Sequence, residues 1–148
     1  MAEIVALSKI LDIRENEKQV AQKAYNQSLD SFEKVATELY QILRKKERAE
    51  DSYDQFFHSL TPIDRIKEQA NYIEQLNRQI NNLQSRVQKA RTDMESKQHL
   101  LSDAHVEVKK FEKLIEVRKE TKATIQKKME DAFMDEISIT QFLSQKNR

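Results

Sequence analysis

Not one of the 148 residues is glycine, and only one, Pro62, is proline. An average globular chain carries about 7% Gly and about 5% Pro. Tight turns need Gly, Pro or Asn at fixed places, because those residues reach backbone angles that others avoid. A sheet protein of this length needs several such turns, and this chain has the punctuation for one. Helix is what remains. Charged residues make up 34% of the sequence and aromatic residues 7%, which suits long helices with a narrow buried seam better than a rounded core. Similar polarity marks disordered chains, but the apolar residues here are periodic, and disordered tracts lack that order.

The period is that of a coiled coil. Alternating steps of three and four from Ile4 reach Leu7, Leu11, Arg14, Lys18, Ala21, Tyr25, Ser28, Phe32, Val35, Leu39, Ile42, Lys46, Ala49, Tyr53, Phe56 and Leu60. Only Arg14, Lys18, Ser28 and Lys46 break the apolar rule, and a sustained 3.5-residue repeat is the mark of a helix–helix seam. Ile10, Leu29, Ala36, Tyr40 and Leu43 form a looser second stripe. A second ladder runs from Ile66 through Ile73, Leu76, Ile80, Leu83, Val87, Ala90 and Met94. It goes on through Leu101, Ala104, Val108, Phe111 and Ile115 to Ile125, Met129 and Ala132, with Gln69, Lys97, Arg118 and Lys122 as polar exceptions.

Between the ladders lies Ser59-Leu60-Thr61-Pro62-Ile63-Asp64. Thr61 suits a helix cap, Pro62 a first turn, and Thr61 with Asp64 a box-like pair. The residue before a proline is pushed away from helical geometry, so the first helix should end near Ser59. A connection this short favours antiparallel neighbours. The expected fold is all-α: one long antiparallel two-helix coiled coil, a helical hairpin. It forms a single domain over residues 1–148, with helices at about 3–59 and 63–133, a turn at 60–62 and a tail at 134–148.

At 1.5 Å per residue the helices would be roughly 85 and roughly 105 Å long, and opposed residues should total about 124. Ile4 then lies near Glu120, and everything beyond overhangs without an intramolecular partner. That overhang carries Ile125, Met129, Phe133, Ile137, Ile139 and Phe142. Apolar side chains on an unpaired helix point to a binding end, with fraying and homodimer contacts as the alternatives.

Little else in the chain carries chemistry. Basic and acidic residues number 26 and 25 and are interleaved, unlike the one-sided basic stripe of a nucleic-acid binder. There is no cysteine, which excludes disulfides and fits a reducing compartment. No signal peptide or membrane span is legible, so the chain reads as cytosolic. His58, His99 and His105 form no metal-ligand spacing, and phosphate-cradling loops need glycines that are absent. The Lys109-Lys110 and Lys127-Lys128 pairs sit among glutamates and read as solvated faces. The sequence predicts no enzyme, cofactor, metal, nucleic acid or small-molecule substrate.

Several segments resemble the flagellar export protein FliJ family, particularly its Bacillus-type members. They are the opening Leu7, Ile10, Leu11, Asp12, Arg14, Glu15 and Glu17; then Asn71-Tyr72-Ile73-Glu74-Gln75-Leu76 with Ile80; then Lys109-Lys110-Phe111-Glu112-Lys113-Leu114 with Arg118; and the tail Met134-Asp135-Glu136-Ile137-Ser138-Ile139-Thr140-Gln141-Phe142. The resemblance spans nearly the whole chain, and the tail is its most specific part. It implies a coiled-coil stalk, similar to the gamma subunit of rotary ATPases, at the cytoplasmic face of the flagellar basal body. The implied partners are the hexameric flagellar export ATPase, whose ring assembly it promotes, the membrane export-gate protein and the export chaperones.

Carried over by matching segments, the export-gate contact falls on Tyr72, Leu76, Gln79 and Leu83; on the first helix Leu39 aligns but stands on the ladder, and Tyr40 and Leu43, off the seam in the same stretch, are expected there from exposure alone. Tyr72 is the preferred contact because it lies off the seam, whereas Leu76 and Leu83 stand on the ladder. The ATPase-ring contact is expected at the open end, on Ile125, Met129, Phe133, Ile137, Ile139 and Phe142. The competing readings are the equivalent stalk of a virulence secretion system and a structural, self-associating coiled coil. An intramolecular hairpin predicts a monomer in isolation.

Overall fold

A computed structural model describes residues 2–146, which form two helices, α1 (Ala2–Phe56) and α2 (Ile63–Lys146), packed against each other as an all-α helical hairpin. On α1 every ladder position from Ile4 to Phe56 is buried or half-buried, its four polar exceptions included. On α2 the same holds from Ile66 to Ile115, and from Arg118 onward the ladder faces solvent. Contacts within the hairpin group it into two compact units.

One unit comprises residues 19–102 and contains the turn. Its seam buries Ser28 and Ala49 from α1 and Leu76, Ile80 and Leu83 from α2. The Ser28 hydroxyl donates to the Tyr25 carbonyl at 2.7 Å, so this polar rung brings its own acceptor and leaves nothing unsatisfied. Cross-helix pairs set the register: Arg86 meets Glu38 at 3.5 Å, and the Arg91 guanidinium lies 5.8 Å from the centre of the Phe32 ring. Near the turn the Gln69 side-chain amide donates to the Ala49 carbonyl at 3.0 Å, which gives a polar ladder residue a structural role.

The turn departs from the expected cap. α1 stops at Phe56, and residues 57–60 turn outward, so the last rung, Leu60, lies outside the seam. The Thr61 hydroxyl pairs with that of Ser59 at 2.8 Å instead of reaching forward to a helix N–H. The first helical bonds of α2 close on the Pro62 carbonyl, from Arg65 at 3.1 Å and Ile66 at 3.3 Å. Pro62 therefore occupies the cap position itself, with Thr61 one residue outside it.

The other unit joins Met1–Lys18 to Asp103–Arg148. Val108 and Ile115 are buried there, with Ile4, Leu7, Leu11 and Phe111 half-buried around them. Arg14, a polar rung, bonds Glu17 at 3.1 Å, lies 5.7 Å from the Phe111 ring centre and brings its Nε within 3.9 Å of Glu107. That Nε is buried without a hydrogen-bond acceptor. Arg118 and Glu3 pair at 3.1 Å where α1 begins. In this unit the cross-helix pairs lie within about one helical turn of the pairing expected from the ladders.

α2 does not give way to a tail at residue 134 but continues helical to Lys146. The reason is legible afterwards: residues 134–146 contain neither glycine nor proline, and Ile139 and Leu143 keep the ladder's phase with Glu136 as its polar rung. Nothing in that segment stops a helix.

Candidate functional site

Convergent catalytic geometry needs an enclosed cavity, and the concavities formed by Gln79, Ile125 and Tyr40 with their neighbours are open grooves. Among the described residues no group of three or more His, Cys, Asp or Glu side chains could hold a metal ion, and no helix is long and apolar enough to cross a membrane. What the molecule offers is surface. Two parts of it coincide with residues singled out from the sequence.

The first lies in the unit that contains the turn. Leu76 and Leu83 are 3% and 7% exposed, so both pack in the seam, and Leu83 also borders the groove beside Gln79. Their burial accords with their places on the ladder. Tyr72 is 43% exposed and Gln79 is exposed; seven residues apart, they share one edge of α2. Gln79 borders a groove of about 550 Å³ whose walls include Glu38 and Ile42 from α1 and Arg78, Asn82 and Arg86 from α2.

Tyr40 and Leu43 are exposed too, but neither lines that groove. Tyr40 faces outward on α1 beside Gln41, Arg44, Lys45 and Arg48. The Arg44 guanidinium lies 5.8 Å from its ring centre and donates to its hydroxyl at 3.5 Å. The six residues proposed for one contact therefore divide into a buried pair, an α2 edge and an outer α1 face. Helical periodicity explains the division: Tyr72 and Gln79 precede ladder positions by one residue, whereas Tyr40 and Leu43 follow them by one. Arg78 and Asn82 also line the groove; Asn82 is signalled by its three-residue spacing from Gln79, whereas Arg78, adjacent to Gln79, has no such signal.

The second part is the open end. Past Ile115 every described residue of α2 except Ile137 is exposed. A shallow cleft of about 260 Å³ marks where α1 begins, lined by Glu3, Ile4, Arg118, Thr121, Lys122 and Ile125. Beyond it Met129, Phe133, Ile139 and Phe142 project into solvent at 60% exposure or more. Ile125, Met129, Ala132, Ile139 and Leu143 continue the seam's own stripe with no helix against them. Leu143 belongs with the expected residues, and the unbroken heptad phase is the signal that could have found it.

The sequence comparisons decide what kind of protein carries these surfaces. A family model described as "Flagellar FliJ protein" matches residues 3–147. The chain belongs to the FliJ family. It is 34% identical over 145 residues to the "Flagellar FliJ protein" of Bacillus subtilis (strain 168), an alignment covering 98% of this chain and 99% of that one. No solved structure is significantly similar. As a member of the FliJ family the chain is a component of flagellar protein export, and its all-α hairpin is the framework on which that role is built.

Proposed function

We propose that this chain is a coiled-coil stalk and adaptor of the flagellar type III export apparatus. It binds the hexameric export ATPase through its open end, promotes assembly of the ring, and links the ring to the membrane export gate and the export chaperones. It acts at the cytoplasmic face of the basal body. The observation that carries this reading is the overhang of α2, a stripe of apolar side chains in coiled-coil phase with no helix packed on it. Stripes of this kind are covered by partners in helix-in-groove recognition. The gate contact falls to the exposed members of the other set: Tyr72 and Gln79 along one edge, Tyr40 and Leu43 on the outer face of α1.

The test is hydrolysis and ring assembly by the export ATPase of the same organism, with and without this protein. Stimulation of ATP turnover and a larger assembled species are expected. A chain ending at Lys122 should keep the hairpin and lose both effects. Undiminished ATPase binding by that truncated chain would sink the assignment of the overhang. Tyr72→Ala should leave ATPase stimulation intact while weakening gate binding.

A further inference from the structure

The hairpin's closed end carries a feature that the stalk reading does not use. Where the chain turns, Phe57, Leu60 and Ile63 are 61%, 107% and 69% exposed, three large apolar side chains within seven residues. Leu60 lies outside both helices and protrudes beyond the exposure of an ordinary free residue, so its side chain adds nothing to the packing. A polar residue would serve a solvated turn equally well and would not lower solubility. A cluster of large apolar side chains left in water at a protruding point is the form of a binding knob. The Phe57 ring stands edge-on to Tyr53, their centres 5.0 Å apart, which fixes its direction.

The charges around the knob say what it fits. Between Arg48 and Arg65 there is no lysine or arginine, and Glu50, Asp51, Asp54 and Asp64 fall in that interval. Glu50 is engaged by Lys46 at 3.7 Å, whereas among the described residues no cation lies within ion-pair distance of Asp51, Asp54 or Asp64. The tip is thus an apolar knob with a carboxylate collar. An anionic bilayer would repel that collar, since juxtamembrane segments that bind such surfaces are basic. A second tip would repel it equally, carrying the same charge.

We propose that the tip formed by Phe57, Leu60 and Ile63 docks into a protein pocket with an apolar floor and a rim of lysine or arginine side chains. The knob supplies buried anchors and the collar supplies electrostatic complementarity, which steers encounter and rejects acidic surfaces. This docking is separate from the ATPase contact, which lies on the overhang, and does not depend on it.

The experiment places a photo-crosslinking phenylalanine at position 60 of the full chain, in cells of the source organism lacking the natural copy. Control probes stand at Glu33 and Lys89, exposed positions remote from the tip. The expected adduct is specific to position 60 and maps by mass spectrometry to a protein segment with apolar residues flanked by Lys or Arg. Its yield should fall about thirtyfold when Phe57 and Ile63 are both changed to Ser. Reversing the collar with Asp54→Lys and Asp64→Lys should lower it about tenfold. Circular dichroism melting of each variant at the parent midpoint separates lost docking from lost fold. Should either pair lower that midpoint, Leu60→Glu, outside both helices, replaces it in competition against the position-60 probe. An adduct no stronger than the controls overturns the proposal. So does an adduct on lipid, on a second copy or on an acidic segment, or a yield indifferent to charge reversal.

Discussion

Leu76 and Tyr72 are one helical turn apart on α2, and replacing each with alanine should separate fold from binding. Leu76 is 3% exposed and Tyr72 43%. The register set by Glu38 and Arg86 puts the ladder positions Lys46 and Ala49 across from Leu76. Leu→Ala in a buried site costs about 2–5 kcal/mol, the amount depending on how far the site can collapse. Here the seam is one layer thick, and the flexible stem of half-buried Lys46 can settle into part of the space, so the expected cost is about 2–3 kcal/mol. Tyr72→Ala removes a half-exposed ring but gains about 0.5 kcal/mol in helix propensity, leaving a net change within about 0.5–1 kcal/mol. Urea titration followed by circular dichroism at the helix band reads both values from the midpoints. Leu76→Ala should weaken export-gate binding only as far as it unfolds the hairpin, and Tyr72→Ala should weaken it in a folded one. A Leu76→Ala protein with an unshifted midpoint and lost binding would refute the seam argument.

The overhang predicts its own kinetics. Most helical stability in proteins comes from packing of one face, which this segment lacks, so amides of residues 122–146 should exchange with solvent far faster than those flanking Leu76 or Val108, and slow when the ATPase ring is added; equal protection in the free protein would mean that something already covers the segment. Arg14→Leu removes a guanidinium whose buried Nε lacks an acceptor, and should leave stability unchanged or raise it by about 1–2 kcal/mol, read again from the urea midpoint. Gln69→Ala breaks the 3.0 Å bond to the Ala49 carbonyl and should cost about 1 kcal/mol. Arg78→Ala removes an exposed pair with Glu74 and should shift the midpoint by no more than about 0.5 kcal/mol.

The local elements were written in the sequence because their causes are local. The missing glycines, the lone Pro62 and the unslipped three-four alternation specify two helices, one turn and the face each helix buries, since a helix repeats its environment with a fixed period. Even the polar rungs were legible as seam positions, and Ser28, Lys46 and Arg14 all face inward. The helix runs past residue 133 for an equally local reason: Ile139 and Leu143 keep the phase, and Glu136 is one more polar rung in it.

Tertiary structure decided what depends on the second helix. Only the packed hairpin shows that Leu76 and Leu83 are consumed by the seam while Tyr72 and Gln79 remain on an edge, because burial is a property of the pair and not of either strand of sequence alone. The partners of the polar rungs are likewise non-local: Gln69 finds the Ala49 carbonyl, Arg14 finds Phe111 and Glu107. The exposure of Leu60 follows from where α1 stops. Its place on the ladder predicts burial, and three residues of early helix termination turn it out to solvent instead, since a seam extends only as far as both helices do.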